Sequence, residues 1–154
     1  MAVSTAAGTT IGIVAGQPAT FDAAGYGALE FKAIGEVTDG GAHGRTYAEV
    51  THNPIATRGT QKFKGSFNEG NKTLQLAIDP EDEGQIVARE ALSSDDDYSF
   101  EVGYPDGSKD YFQAKVMSFE KSVSDVDSML SASIELSITT NKEGVGIIEA
   151  PATP

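Results

Sequence analysis

The chain has 154 residues, no cysteine and a formal net charge of −12 at pH 7. This length suits one domain, and the lack of cysteine excludes a disulfide framework, a thiol nucleophile and a zinc–thiolate site. So acidic a chain should repel nucleic acid and anionic membranes, and we expect neither a signal peptide nor an apolar run of the ~18 residues that a membrane helix needs.

The first residues form a segment of small side chains. Residues 1–18 are mostly Ala, Gly, Thr and Ser, which predicts a flexible N-terminal arm able to become ordered against a neighbour. A frayed terminus explains the composition equally well. A β-domain is expected to follow at residues 19–142, with a C-terminal tail at residues 143–154. The apolar patch of the arm consists of Ile11, Ile13 and Val14.

Alternating apolar and polar residues predict several strands in the first half of the chain, because period two is typical of a half-buried strand. We expect these strands at residues 30–37, 45–51, 61–68 and 71–78. Between the second and the third, residues 52–60 combine turn-forming residues with little to bury. This segment suits either an ordinary hairpin loop or an interaction loop, since loops often carry surface function.

One helix is predicted, from Pro80 to Leu92. Asp79 is a suitable N-cap, and proline is favoured at the first helical position. The acidic residues that follow lie where the helix dipole stabilises negative charge. An apolar stripe at helical spacing is typical of a helix that packs against a core; it is made by Ile86, Val87, Ala91 and Leu92.

The clearest alternation lies in the second half of the chain. Strands are expected at residues 98–104, 111–119 and 130–138, and the turn Pro105–Gly107 joins the first two. Each strand has one apolar and one polar face. The fold class expected from all these runs is mainly β, an antiparallel β-sandwich or incomplete barrel with one flanking α-helix.

Acidic residues at the start of the predicted helix have the spacing of a calcium-binding loop. An EF-hand needs a helix that enters the loop, whereas residues 71–78 read as a strand. Helix capping explains the same acidic residues, and the acidic turn Asp95–Asp97 is a common solvated feature. We therefore predict no metal site at Asp79, Glu81, Glu83, Gly84 and Glu90.

The sequence offers no positive case for catalysis. His43 and His52 are the two histidines, and without cysteine partners they do not make a zinc site. The Gly-rich stretch 40–44 lacks the Lys-Ser/Thr of a phosphate loop, and no serine lies in a nucleophile elbow. We predict no catalytic residue, no cofactor and no enzymatic activity.

Several segments, in this order, resemble the major tail tube protein of long-tailed, non-contractile bacteriophages. The resemblance includes an acidic-aromatic strand, a Pro-Asp-Gly turn and a Ser/Ile-rich last strand, and it covers about 110 residues of the chain. The matching segments are residues 34–41, 47–52, 79–85, 104–107 and 112–116.

The resemblance implies a structural virion protein of a phage tail. Members of the family fold as a β-sandwich or incomplete barrel flanked by a helix. They assemble as hexameric rings stacked into a tube around the tape measure protein, and the tube later conducts double-stranded DNA. Many carry an added immunoglobulin-like domain, so a chain that stops at Pro154 is expected to be the tube domain alone.

The partners implied by the resemblance are further copies of the chain, the tape measure protein in the lumen, and the tail terminator and distal tail proteins. Double-stranded DNA is expected to pass through transiently and without sequence preference, and no membrane binding is expected. The implied location is the virion, with assembly in the host cytoplasm.

In such a tube, the polar faces of the late strands are expected to line the lumen. Period two assigns the residues, since a slip of one position would expose the apolar set. Carboxylates and small hydroxyls offer no cation that would hold a phosphate, so DNA could slide along them. The cation of Lys115 would attract phosphate unless an acidic residue such as Glu101 pairs with it. The predicted lining residues are Glu101, Gln113, Lys115, Ser133, Glu135 and Ser137.

Contacts between subunits are expected from the arm, residues 2–18, and from the loop at residues 38–60, because both are turn-rich and offer little that a single subunit could bury. The residues that we expect at these contacts are Ile11, Ile13, Val14, His52, Asn53, Pro54, Ile55 and Arg58.

Three alternatives remain at the level of the sequence. A tail terminator or a distal tail ring protein would share the virion location. A secreted or surface β-domain that binds sugar or calcium would have a similar strand pattern. An enzyme has no feature in its favour.

Overall fold

A computed structural model describes residues 3–152. The fold is mainly β, and two helices interrupt the strands. The elements are β1 (Thr10–Ala15), α1 (Ala23–Gly27), β2 (Lys32–Ala33), β3 (Val37–Asp39), β4 (Thr46–His52), β5 (Gln61–Asn68), β6 (Asn71–Ala77), α2 (Glu83–Leu92), β7 (Tyr98–Gly103), β8 (Lys109–Ser122), β9 (Ser131–Thr139) and β10 (Ile148–Ala150).

Eight of the strands form one antiparallel sheet. Its order is β2-β1-β7-β8-β9-β6-β3, and β10 pairs with the start of β8. The sheet curls into a half-barrel, and α2 packs against β8, β1 and β2. β4 and β5 pair with each other in a separate two-stranded sheet. The predicted fold class, an antiparallel incomplete barrel with a flanking helix, is confirmed.

The core lies between the inner face of the sheet and α2. Along β9 burial alternates strictly, so that every second side chain is buried. Burying one such aliphatic or aromatic side chain contributes about 1.5–3 kcal/mol. The fully buried members include Ile13, Leu74, Leu76, Phe100, Phe112, Ile134 and Leu136.

The N-terminal segment departs from the predicted flexible arm. Residues 10–15 form β1, which lies between β2 and β7 within the sheet, and Ile11 and Ile13 belong to the core. The physical reason is that β1 pairs with β7 over six residues, and the hydrogen bonds of this pairing satisfy the backbone N–H and C=O groups of β1. Likewise, β10 gives the predicted C-terminal tail a place in the sheet. Residues 1–2 of the arm and 153–154 of the tail lie outside the described residues.

The predicted strand at residues 30–37 is broken in two. Glu36 has a positive φ of 59°, a left-handed conformation that a strand does not accommodate. Next to it, the Gly35 N–H donates to Asp82 Oδ2 at 3.0 Å. The chain therefore turns between β2 and β3 instead of continuing straight.

Helix α2 begins later than the sequence predicts. Asp82, not Asp79, is the N-cap, and its carboxylate accepts from Gln85 N at 3.0 Å. Asp79 instead begins the turn before the helix, where its carbonyl accepts from Asp82 N at 3.1 Å. Asp82 also binds the Gly35 N–H, so a tertiary partner decides which aspartate becomes the cap.

A short helix, α1, was not predicted. Asp22 caps it by accepting from Gly25 N at 2.7 Å, and Tyr26 is fully buried. Over residues 3–152, neither helix has the length and apolar character needed to cross a membrane.

Candidate functional site

The polar side chains of β6, β9 and the second half of β8 share the side of the sheet that points away from the core. We call this surface the polar face. The strand register places Thr73 beside Glu135, and Glu135 beside Ser118. Neighbouring rows are formed in the same way, so three strands present a continuous surface. Its members are Asn71, Thr73, Gln75, Lys115, Ser118, Glu120, Ser133, Glu135 and Ser137.

Hydrogen bonds across the strands order this surface. Asn71 Nδ2 donates to Glu135 Oε1 at 3.3 Å, and Gln75 Nε2 donates to Ser133 Oγ at 3.4 Å. All of these side chains are exposed or half-exposed. The small hydroxyls leave space above the sheet, and within residues 3–152 the surface is open to solvent.

Four of the six predicted lining residues meet on the polar face. Ser133, Glu135 and Ser137 alternate along β9, and Lys115 pairs in register with Ser137. The acidic partner that Lys115 requires is Asp97, which lies just before β7. With Asp97, Glu120 and Glu135 against the single cation, the surface is net negative.

The other two predicted lining residues lie beyond the polar face: Gln113 is buried in the protomer, and Glu101 is half-buried on β7. Gln113 is only 2% exposed and donates to Ser99 Oγ at 2.5 Å. Glu101 forms an ion pair with Lys109 at 3.6 Å. The prediction of Gln113 as a lining residue is therefore wrong for this chain.

The cause is an aromatic cover on this part of the sheet. Tyr26 of α1 stacks on Tyr111 of β8, with ring centroids 5.3 Å apart, and Phe31 packs on the same ring at 5.9 Å. Because Tyr111 lies on the same side of β8 as Gln113, α1 and Phe31 close over the first half of the strand.

A second distinctive feature is the hairpin, by which we mean β4, β5 and their connection, residues 46–68. All of β4 and most of β5 is exposed, and within residues 3–152 these two strands pair with no other. Isolated two-stranded hairpins are marginally stable in water. The exposed apolar side chains here are Tyr47, Val50, Ile55 and Phe63.

The predicted contact residues between subunits at positions 52–58 lie at the tip of the hairpin. Ile55 is fully exposed there, and His52, Asn53 and Arg58 are exposed, whereas Pro54 is half-buried. The hairpin is also cationic in an acidic chain. It contains Arg58, Lys62 and Lys64 but one carboxylate, Glu49.

The base of the hairpin is anchored by a buried carboxylate, Glu69. It accepts from Arg45 Nε at 2.7 Å and from Ile147 N at 2.5 Å. Gly146 also lies against it, where a Cβ atom would meet Glu69 Oε2 at 2.0 Å. Burial by itself raises the pKa of Glu69, but the hydrogen bonds from Arg45 and Ile147 outweigh this, so the pKa lies below its ordinary value.

This pKa leads to a prediction about acid stability. A carboxylate with a depressed pKa stabilises the fold above its ordinary pKa of about 4.3, and this contribution is lost as the pH falls below that value. At pH 7, Glu69→Gln should lower the free energy of unfolding by about 1–3 kcal/mol, because it weakens a charge-assisted anchor.

Thermal melts at successive pH values test this prediction. The gap in stability between wild type and Glu69→Gln should be constant near neutrality and shrink below about pH 4. Glu143→Gln, at an exposed position in the turn after β9, is the matched control and should show no gap. A Glu69→Gln gap that stays unchanged down to pH 3 contradicts the role assigned to the carboxylate.

A partly buried polar cluster around His43 was not predicted from the sequence. His43 contacts Asp110 Oδ2 through Nε2 at 2.7 Å and Lys72 Nζ through Nδ1 at 3.0 Å, and Tyr104 donates to the same Asp110 oxygen at 2.5 Å. Burial lowers the pKa of Lys72, although the carboxylates of Asp110 and Asp39 oppose this, and burial raises that of Tyr104.

The cluster ties the loop before β4 to the sheet. Lys72 also donates to Gly41 O at 3.4 Å, so loop, β6 and β8 share one network. Its members border a cleft of about 1480 Å³. Their polar atoms are directed mainly at one another, and the four residues are too far apart in sequence for a motif to reveal them.

At the start of α2, the carboxylates of two aspartates accept from backbone N–H groups. Asp79 Oδ1 accepts from Glu81 N at 3.0 Å, and Asp82 caps α2. Across residues 3–152, no group of three or more His, Asp or Glu side chains is arranged to hold a metal ion.

The family model described as lambda phage tail tube protein matches residues 23–144, from α1 to just beyond β9. The chain belongs to this family. The resemblance drawn from the sequence is thereby confirmed, and the family is one of structural proteins of phage tails. No curated protein matches the chain with significant sequence similarity.

Solved structures with the same fold come from several tail-like assemblies. The SPP1 tail tube protein is 14% identical, with a TM-score of 0.63 over 95% of this chain and 78% of that one. A sheath/tube terminator of the PVC extracellular contractile injection system is 11% identical, with a TM-score of 0.66 over 98% and 99%. A chain of the PVC sheath–tube complex is 13% identical, with a TM-score of 0.58 over 94% and 88%.

Proposed function

We propose that this tail tube protein polymerises as stacked hexameric rings whose lumen is lined by the polar face. The observation that carries the proposal is the polar face itself. In a member of the tail tube family, β9 and its neighbours present ordered hydroxyls and carboxylates on the side of the sheet away from the core. No residue of the described chain covers this surface.

The charge of the polar face suits a DNA conduit. Phosphates are held by cations, and the single lysine of the surface is neutralised by Asp97. The carboxylates of Glu120 and Glu135 repel the phosphates, so DNA does not adhere to this surface. Before ejection the lumen holds the tape measure protein. Tail terminator and distal tail proteins close the ends of the tube, which is assembled in the host cytoplasm and resides in the virion.

Contacts between subunits are made by the hairpin in this proposal. Its exposed tip, with Ile55 at its centre, needs a partner surface that its own subunit does not provide. Of the predicted N-terminal contacts, Ile11 and Ile13 fill the core, and Val14 is half-buried. These three residues therefore stabilise the protomer, and the proposal retains the hairpin residues alone.

The test is microscopy of the purified protein. We expect long tubes of uniform width in negative stain, with sixfold rings in averaged end views. A species that stays monomeric at every protein concentration overturns the proposal.

A tail terminator is the second candidate, because a sheath/tube terminator has the same fold over nearly its whole length. The tail tube family model favours the tube. The microscopy separates the two, since a terminator gives single rings that cap the ends of added tubes.

Glu135→Lys tests the assignment of the lumen. The change should alter the free energy of unfolding by less than about 0.5 kcal/mol, because the side chain is half-exposed and makes one long hydrogen bond. Tubes should still form. Phage carrying the variant should lose infectivity by roughly tenfold or more, because the new ring of cations binds passing phosphates.

Glu143→Lys is the control, because it makes the same charge change at an exposed turn off the polar face. It should leave infectivity intact. Full infectivity of Glu135→Lys, or a tube map with Glu135 on the outer surface, contradicts the lumen assignment.

A further inference from the structure

A second exposed apolar segment lies in the connection between β8 and β9. We call residues 123–130 the receiving loop, and all of them are exposed. Asp125 shapes the loop by accepting from Asp127 N at 3.2 Å and from Ser128 Oγ at 2.9 Å. Its apolar side chains point into solvent, which is typical of an interaction surface when several cluster; they are Val123, Val126, Met129 and Leu130.

We propose that the receiving loop is the surface on which the hairpin of a copy in the adjacent ring docks. This inference rests on the proposed function, since it names the partner surface that the hairpin needs in a tube. The occupant is a second copy of this chain, and the contact joins different surfaces of the two copies.

The placement of the two elements supports this pairing. The hairpin connects to the start of β6 at Asn71, and the receiving loop leads into β9 at Ser131. In the register of these strands, Asn71 lies opposite Ser137, and Ala77 opposite Ser131. The hairpin base and the receiving loop therefore lie at opposite ends of the same strand pair.

Opposite ends are what a stacked assembly requires. A contact between two different patches of identical subunits is head-to-tail, and it propagates without closing when the patches face in opposite directions. Each ring would present six hairpins at one end and six receiving loops at the other. The same contact then repeats at every ring boundary.

Charge complementarity supports this pairing. The hairpin has three cations, Arg58, Lys62 and Lys64, and one carboxylate. The receiving loop has two carboxylates and no lysine or arginine. Their net charges of about +2 and −2 attract, whereas the rest of this acidic chain is self-repelling. The two carboxylates of the receiving loop are those of Asp125 and Asp127.

Disulfide crosslinking tests the proposal directly, because the natural chain has no cysteine. In Ile55→Cys/Val126→Cys, both new thiols are on fully exposed positions, so the protomer should keep its fold. Oxidation of assembled tubes should give a ladder of covalent multimers in denaturing gels. The control pair Ile55→Cys/Lys142→Cys places the second thiol at an exposed site at the hairpin end of the sheet and should give no ladder.

A charge-swap series provides a second readout. Lys62→Glu/Lys64→Glu and Asp127→Lys should each raise the protein concentration needed for tubes by about tenfold or more. A mixture of the two variants should recover part of this loss, because the swapped charges attract again. Asp127 is chosen because its own carboxylate makes no hydrogen bond within residues 3–152, unlike that of Asp125.

The outcomes separate this inference from the proposed function. Wild-type tubes together with no crosslink between positions 55 and 126 overturn the docking assignment and leave the tube function standing. A ladder from the control pair equal to that of the test pair also overturns it. Failure of the wild type to form tubes removes both proposals.

Discussion

Replacing Ile55-Ala56-Thr57 with Gly-Ser-Gly is expected to abolish tube formation while the protomer stays folded. Ile55 is fully exposed, and its two neighbours are exposed as well. The melting temperature should therefore stay within about 2 °C of wild type. In the tube the same side chain would be buried against a neighbour, where an isoleucine contributes about 1.5–3 kcal/mol.

The effect on assembly is multiplied by the repeat of the contact. Every subunit loses the same anchor at each ring boundary, so the protein concentration needed for tubes should rise by far more than the tenfold that ~1.4 kcal/mol gives for one contact. Light scattering and negative-stain microscopy measure this. Ala56→Ser is the matched control, because it changes the tip and keeps Ile55. Tubes formed by the Gly-Ser-Gly variant at the wild-type concentration would remove the hairpin tip from the interface.

Gln85→Ala is expected to cause the largest loss of protomer stability among these variants. The side-chain amide is fully buried at the start of α2. Its Oε1 accepts from Asp79 N at 2.9 Å, and its Nε2 donates to Gly35 O and Ala77 O, each at 3.0 Å. One side chain thus joins the helix to β6 and to the turn between β2 and β3.

Truncation leaves one backbone N–H and two carbonyls without this partner. A buried polar group left unsatisfied costs about 1–3 kcal/mol, and the new cavity adds to this, so we expect a loss of about 3–5 kcal/mol. Urea denaturation measures it. Gln75→Ala makes the same change on the exposed polar face and should cost less than about 1 kcal/mol. Similar losses for both variants would contradict the bridging role of Gln85.

The tight packing around Gln85 has a further cause in its neighbour Gly84. A Cβ atom on Gly84 would meet the carbonyl oxygen of Ala33 at 2.3 Å. The helix therefore approaches β2 so closely that its first turn touches backbone. This approach brings the Gln85 amide within reach of Gly35 and places Asp82 beside the Gly35 N–H.

The late strands could be predicted because the alternation of apolar and polar residues along each strand matches the faces that the folded sheet buries and exposes. In β9 the apolar side chains fill the core and the hydroxyls and Glu135 face outward, as the alternation requires. The polar face at Ser133, Glu135 and Ser137 follows from this alternation. The existence of the flanking helix was predictable for a similar reason, since its acidic start is a local feature. The predicted apolar stripe is wrong in part, because Ile86 and Leu92 are exposed and α2 instead buries Gln85, Ala88 and Ala91.

The features that escaped prediction depend on residues distant in sequence. β1 is a six-residue strand with glycine at its third position, and its main partner, β7, lies more than eighty residues later. The start of α2 differs because Asp82 gains a partner 47 residues away. Gln113 has the alternation of a lining residue, but the aromatic cover from Tyr26 and Phe31 closes that part of the sheet.

By itself, the sequence determined a mainly β fold, its strand alternation, its acidic charge and its family resemblance, because periodicity and composition act through neighbouring residues. Only the tertiary structure decided which polar residues remain open to solvent, and that the hairpin and the receiving loop lie at opposite ends of one strand pair. It also assembled the His43–Asp110 cluster. These features depend on long-range register and packing, which no short stretch of sequence encodes.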